Sequence, residues 1–231
     1  PPIHLLEKWE WTEEELPAIS ENKIFSLKDQ KKYSFSEIIL KLLSNPSIAS
    51  KSWVYRQYDS QVQSNTVFKP GQSDAALIRL RAQDEKNKNK IFSGVAASVD
   101  CNSRWVLLDP FRGSIAAVAE SARNVTCIGA EPIAITNNLN FSSPDTDIGY
   151  WQLSSACDGI SKACLALETP VTGGNVSLYN ESKNQNNQVT PINPTPVIGM
   201  VGTIKNVDKA ISSGWKNIND QIWIIGSNAS E

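Results

Sequence analysis

The sequence predicts an α+β domain, a sheet with helices on one face, and three observations carry that expectation. Short apolar runs of strand composition recur between Asp74 and Ile204. Two long stretches among them repeat their apolar residues at three- and four-residue intervals, as helices do. Several strands precede the first of those helices, so the order is not the strict alternation of a parallel α/β fold.

Residues 1–49 mix Trp9, Trp11 and an acidic run at 13–15 with one helix. Ser34-Phe35-Ser36-Glu37 signals its start, because a Ser and a Glu three apart satisfy each other's orphan amides in a capping box. Ile38, Ile39, Leu42 and Leu43 then keep helical spacing, and Asn45-Pro46 ends it, since a residue before proline avoids the helical region. A polar stretch from Arg56 to Ser73 leads into the main region. Strands are expected at 75–80, 91–99, 105–108, 132–136, 170–171 extending toward Leu178, and 196–204. One long helix carries Ile115, Val118, Ala119, Ala122 and Val125. The other carries Trp151, Leu153, Ala156, Cys157, Ile160, Cys164 and Leu167. The Asn-rich run 183–187 reads as a surface loop. Residues 221–227 read as a buried strand running into a loop. A strand needs neighbours, and the first residue is not Met, so a piece of a longer protein is expected.

The chain has 231 residues, with 22 Lys+Arg against 24 Asp+Glu and a net charge of −2. Hydrophobic residues are 40% and charged residues 20%, a globular balance with enough chain for a core. The near-neutral charge gives neither a basic face for nucleic acid nor a block of cations for an anionic membrane. No stretch approaches the roughly 18 to 20 apolar residues that span a bilayer. The 4 cysteines, Cys101, Cys127, Cys157 and Cys164, form no C-x-x-C, and the 1 histidine, His4, stands apart, which argues against a zinc site. Cys157 and Cys164 share a helical face at a spacing too long for a disulfide, so free, mostly buried thiols are expected. Sequons at Asn124, Asn140, Asn175, Asn180 and Asn228 read as chance in an Asn- and Ser-rich chain. The expected compartment is the cytoplasm.

Three places have residues suited to chemistry. Gly173-Gly174-Asn175-Val176-Ser177 follows an apolar pair, and paired glycines let a ligand approach the backbone closely. Asn175 offers a neutral oxygen to a hard cation and Ser177 a hydroxyl. On local grounds alone a plain tight turn is the stronger reading there. Asp109-Pro110-Phe111-Arg112-Gly113-Ser114 opens the first long helix, where free N–H groups, the dipole and Arg112 would attract an anion. An ordinary capped turn is the alternative and the stronger one. At 135–141 the amides Asn137, Asn138 and Asn140 cluster at a strand's end, fit either for a base or phosphate or for local backbone. Asp100-Cys101-Asn102 is equally ambiguous, a lone acid at a strand end being usually structural.

Several longer runs, taken in order, carry a resemblance. They are 54–66 (VYRQYDSQVQSNT), Asp100-Cys101-Asn102 with Leu108-Asp109-Pro110, Gly129-Ala130-Glu131-Pro132, Asn138-Leu139-Asn140-Phe141, 173–180 and 194–200. Together they resemble the synthetase subunits of phosphoribosylformylglycinamidine synthase in its small, multi-subunit form, within the ATP-dependent aminoimidazole-ribonucleotide-synthetase superfamily. The likeness covers nearly the whole chain. It implies an N-type α+β domain, a mixed sheet with helices on one face, at 50–205. Residues 1–49 would then be the tail of a preceding half, and 206–231 the truncated start of a C-type domain.

The resemblance also implies an activity. The family phosphorylates the amide oxygen of formylglycinamide ribonucleotide with ATP and Mg2+, and glutamine-derived ammonia then displaces the phosphate. A glutaminase subunit and a small accessory subunit are the implied partners. Carried over by position, Asn137 and Gly174 would contact ATP, Asn175 would bind magnesium, and Ser177 would contact the substrate. The family commonly has Asp where this chain has Asn137, which keeps an acceptor oxygen but loses the charge. The family's catalytic histidines and most metal-binding carboxylates belong to the first half, so this chain alone is expected to be inactive. The alternative is a non-catalytic scaffold half of the same synthetase. A related superfamily kinase fits less well, given the Asn-Leu-Asn-Phe and Asn-Val-Ser-Leu-Tyr-Asn runs.

Overall fold

In the computed structural model the described residues are 33–81, 91–183, 186–223 and 226. Strands β1 (Ala76–Arg79), β2 (Gly94–Asp100), β3 (Glu131–Asn140), β4 (Val171–Ser177) and β7 (Thr195–Ile204) form one sheet in the order β1-β2-β7-β3-β4. Every neighbouring pair is antiparallel except β3 and β4, which run parallel. A small hairpin of β5 (Glu181–Lys183) and β6 (Val189–Pro191) stands apart from it. The sheet is mixed, and the long helices lie on one side of it.

Alternation along the strands explains that one-sidedness. On β7 every second residue from Pro196 to Ile204 is buried, with Ile198 and Met200 at 0% exposure. Leu77, Ala96, Ile135 and Leu139 line the same side, whereas Ile78 and Val99 point to the open side. Helix α4 (Pro110–Cys127) covers the buried face with Ala117, Val118, Ala122 and Val125. Val118 and Val125, each fully buried, contribute about 1.5 to 3 kcal/mol apiece, and each alanine methyl about 0.8 kcal/mol. Helix α5 (Asp147–Leu167) packs on α4, its Ala156, Ile160, Ala163 and Cys164 joining the same core. Glycine sets the α4–sheet distance at Gly202, where an added Cβ would lie 2.7 Å from the Glu131 carbonyl and collide with Val125.

The first helix among the described residues, α1 (Phe35–Ser44), is capped as its sequence requires. Ser34 N–H donates to Glu37 Oε2 at 2.7 Å and Glu37 N–H to Ser34 Oγ at 3.3 Å. A short turn, α2 (Ser52–Tyr55), follows. The run 105–108 is helical rather than extended, within α3 (Ser103–Leu108). Asn102 decides it, because its Oδ1 accepts from the Arg104 and Trp105 amides and opens a helix. Four apolar residues alone do not distinguish the two structures; Val106 is buried while Trp105 and Leu108 are half exposed.

Two further expectations change. The amides at 137–140 do not sit beyond a strand's end, for β3 runs through them to Asn140. Gly173–Ser177 is not a tight turn but the body of β4, the strand expected to extend from 170–171 toward Leu178, with neither glycine at positive φ. At the far end, residues 221–223 form no strand, and 224–225 and 227–231 lie outside the described residues, as do Trp9, Trp11 and His4. The cysteines are free, but only Cys164 is buried; Cys101 and Cys157 are half-buried and Cys127 is exposed. Among the described residues no helix is long and apolar enough to cross a membrane.

Candidate functional site

The parallel pairing of β3 with β4 brings Asn137, Gly174, Asn175 and Ser177 together. Its register sets Asn137 beside Gly174, Asn138 beside Asn175, and Asn140 beside Ser177. Strand alternation then divides them. Asn137 lies between the buried Ile135 and Leu139, so it and Gly174 belong to the helix side of the sheet. Asn175 and Ser177 belong to the open side with Asn138 and Asn140. A group reaching Asn137 and Gly174 therefore approaches from one face, and a group reaching Asn175 and Ser177 from the other.

Hydrogen bonds fix several of these side chains. Asn175 Nδ2 donates to Asn138 Oδ1 at 3.1 Å, which leaves the Asn175 Oδ1 as a ligand oxygen. Thr136 Oγ1 donates to the Gly173 carbonyl at 3.0 Å and Thr172 Oγ1 to the Ile135 carbonyl at 3.1 Å, pinning the edge strand. Ser177 Oγ is 3.2 Å from Asn180 Oδ1. Because β4 is the edge of the sheet, backbone N–H groups along it face outward with no strand to take them. Those amides, the absence of a Cβ at two positions, and the amide oxygens suit phosphate and a hard cation.

The magnesium fit is partial. Asn175 supplies a hard neutral oxygen of the right type, but among the described residues no group of three His, Cys, Asp or Glu converges on one point. Magnesium is usually held by one or two carboxylates with phosphate oxygens and water. Asn175 therefore has the chemistry of a single ligand, and the described residues bring no carboxylate cluster to join it.

The other places read from the sequence are structural. Asp109 caps α4, accepting from the Arg112 amide at 2.9 Å, and its second oxygen lies 3.6 Å from Arg112 Nε. The helix end and the cation are both answered by that carboxylate. Asp100 accepts from Ser121 Oγ at 2.9 Å and from Asn124 Nδ2 at 3.0 Å, tying β2 to α4. Burial, with Glu120 adding, pushes the Cys101 thiol up to about 11, which makes it a poor nucleophile. Sequon residues Asn124, Asn140, Asn175 and Asn180 all donate their amide nitrogens within the fold. Clefts of about 590 and 540 Å³ lie elsewhere, one beside Thr66, Phe68 and Ala97, the other beside Arg123, Glu131 and Leu167. The second touches the start of β3 at Glu131 and Pro132, but neither is lined by Asn137, Gly174, Asn175 or Ser177. Asn138 and Asn180 are the residues whose part the sequence reading did not assign, although both lie in the Asn-rich runs that prompted it.

Over residues 72–204 the sequence matches the family described as AIR synthase related protein, N-terminal domain. The chain belongs to the AIR synthase related family. The matched range contains the whole five-stranded sheet with α4 and α5. Within the family, the chain is 94% identical over its full length to the phosphoribosylformylglycinamidine synthase subunit PurL of Prochlorococcus marinus subsp. pastoris (strain CCMP1986 / NIES-2087 / MED4) and spans 30% of that relative. It also matches T. maritima PurL complexed with ATP, at TM-score 0.56 and 34% identity over 70% of this chain and 24% of that one. The likeness to T. maritima PurL complexed with FGAR is similar, at TM-score 0.54 and 33% identity over 70% of this chain and 24% of that one. AIR synthase related architecture thus accounts for the mixed sheet with helices on one face.

Proposed function

We propose that this chain is the part of a phosphoribosylformylglycinamidine synthase synthetase subunit that supplies one wall of an ATP, magnesium and substrate site. The whole protein would join ammonia to the amide carbon of formylglycinamide ribonucleotide at the expense of ATP. Residues 50–205 would be the N-type domain of its second half, with 1–49 the tail of the preceding half and 206–231 the start of a C-type domain. A glutaminase subunit and a small accessory subunit would complete the complex, in the cytoplasm.

The observation that carries this reading is the β3–β4 ladder at the sheet edge, which sets Asn137 beside the Gly174–Ser177 run; because their side chains divide between the two faces, a nucleotide and its cation would have to straddle that edge to meet them all. Asn137 and Gly174 would lie against the nucleotide, and Asn175 would give an amide oxygen to the cation. Ser177 would touch the ribonucleotide. Bound magnesium would supply charge neutralisation on phosphate oxygens; the contribution of these residues is positioning, which dominates in phosphoryl transfer. The lack of a convergent carboxylate cluster among the described residues supports the second reading, a half that mainly scaffolds the first.

Asn175→Ala in the full-length synthetase separates the two. The Asn175–Asn138 bond is exposed, so stability should change by less than about 1 kcal/mol. Turnover at limiting magnesium should fall on the order of tenfold, as for other losses around a bound metal. Unchanged turnover at every magnesium concentration would remove the metal assignment and favour the scaffold.

A further inference from the structure

We infer that Asn180 is a positioning residue that makes Ser177 a hydrogen-bond acceptor toward its ligand, so that Ser177 recognises an N–H or O–H group and not a phosphate oxygen. The inference rests on the reading of Ser177 as a substrate contact and specifies what that contact is.

The orientation of the Asn180 amide decides what Ser177 can offer. An amide oxygen and nitrogen are alike in shape, and only their partners distinguish them. One end of the Asn180 side chain lies 3.1 Å from the Phe141 carbonyl oxygen and 2.7 Å from the Ser177 carbonyl oxygen. Carbonyl oxygens only accept, so that end is the NH2 group, and both of its hydrogens are used. The other end, 3.2 Å from Ser177 Oγ, is then the oxygen, which has no hydrogen to give. The hydroxyl proton of Ser177 must lie in that contact. What Ser177 Oγ has left is lone pairs, and lone pairs bind donors. A phosphate or carboxylate oxygen beside it would meet another acceptor.

Asn180 is well held for this task. Its backbone N–H donates to the Phe141 carbonyl at 3.1 Å, and its own carbonyl accepts from Ile192 N–H at 3.0 Å. Tyr179, immediately before it, has φ of 59°, the left-handed turn that folds the chain back so that Asn180 meets the end of β4. A free serine hydroxyl rotates to suit donor or acceptor. Here the proton is committed before any ligand arrives, which gives selectivity among the groups of a ribonucleotide that carries both kinds.

The test is a double-mutant cycle in the full-length synthetase, reading the KM for formylglycinamide ribonucleotide and the KM for ATP separately. Ser177→Ala should raise the ribonucleotide KM about fivefold to tenfold, the loss of one neutral hydrogen bond, and leave the ATP KM unchanged. Asn180→Ala should raise it by a similar factor, and the double variant should be no worse than Ser177→Ala alone. Additive effects, or an Asn180→Ala enzyme with normal ribonucleotide KM, would overturn the positioning role while leaving Ser177 a contact. A Ser177→Ala enzyme with normal ribonucleotide KM would instead remove the contact itself and the underlying reading with it. Should Asn180→Ala fail to fold, inhibition by inorganic phosphate decides. Ser177→Ala should leave the phosphate inhibition constant within a factor of two, about 0.4 kcal/mol. A fivefold weakening would mean that the hydroxyl donates to phosphate, and the inference would be wrong.

Discussion

Asn137 and Gly174 sit side by side across the parallel β3–β4 ladder, with no space between them for a side chain on Gly174. A Cβ built there would collide with both Oδ1 and the carbonyl oxygen of Asn137 and come within 3.0 Å of its Cγ. The glycine is required by the neighbouring amide, and the amide is oriented by the space the glycine leaves. The two residues proposed above to contact a nucleotide thus constrain each other by packing alone.

Gly174→Ala should therefore be costly where Gly173→Ala is not. Nothing lies within 4 Å of a Cβ at Gly173. Both glycines are strand residues, so alanine at 173 should be neutral or stabilising by about 0.5 to 1 kcal/mol. At 174 the overpacking should destabilise by about 1 to 3 kcal/mol, because a backbone oxygen cannot step aside as a side chain can. Chemical denaturation of the two variants compares them directly. Equal stabilities would mean that the strands do not approach this closely.

Asn137→Asp restores the charge that the resembling family commonly has at this position. The side chain is half-buried beside Gly174 and keeps an acceptor oxygen in either form. Nucleotide binding in the full-length protein should tighten by up to about fivefold, the gain of a charge-assisted bond over a neutral one, or stay unchanged. Calorimetric titration with ADP and magnesium measures it. A marked loss would show that the neutral amide is itself required.

The fold was legible where periodicity is local. Ile115 to Val125 and Trp151 to Leu167 announce α4 and α5, and Ser34 with Glu37 fixes the start of α1 to the residue. The β3–β4 seam was legible in composition but not in conformation. Asparagine and glycine are poor strand formers, so the strand read at 132–136 stops short of 137–140, and 173–177 reads locally as a tight turn even though a strand is expected to extend toward Leu178. Each is extended because the other pairs with it, and the Asn138–Asn175 bond spans 37 residues of sequence. That partnership is a tertiary fact, invisible to a window of neighbouring residues. Once both segments are strands, alternation assigns their faces, and the division of the candidate residues between two sides of the sheet follows. Asn180 escaped for a related reason, since its part lies in three contacts made by a turn at Tyr179.

Thiol chemistry offers a test at a distance from the seam. Cys101 is half-buried, and its pKa is pushed from 9.0 to about 11 by burial and then by Glu120. At pH 8 iodoacetamide should label the exposed Cys127 first and Cys101 only on unfolding, read by peptide mass mapping. The folded state holds the Cys101 proton more tightly than the unfolded one. Its contribution to stability is thus complete below pH 9 and lost as the pH rises toward about 11. Early labelling of Cys101 at pH 8 would contradict this burial.

Helix α5 ends on a residue poorly matched to its backbone. Glu168, its C-cap, has φ 55° and ψ 35°, the left-handed conformation that closes a helix, and its N–H donates to the Cys164 carbonyl. A side chain there costs about 1 to 2 kcal/mol that glycine avoids. The Glu168 side chain is exposed, so its removal sacrifices little packing. Glycine also gains freedom in the unfolded chain, which offsets about 0.4 to 1 kcal/mol. Glu168→Gly should therefore stabilise by about 0.5 to 1 kcal/mol, raising Tm by about 1 to 4 °C for a domain of this size. Glu168→Ala keeps a Cβ and should show none of the gain, while Glu168→Val, branched at that carbon, should lose stability. Thermal unfolding of the three variants orders them, and the order Gly above Ala above Val follows only if the left-handed cap is real. Nucleotide binding should be unaltered in all three, because Glu168 lies in the turn before β4, six residues ahead of Gly174.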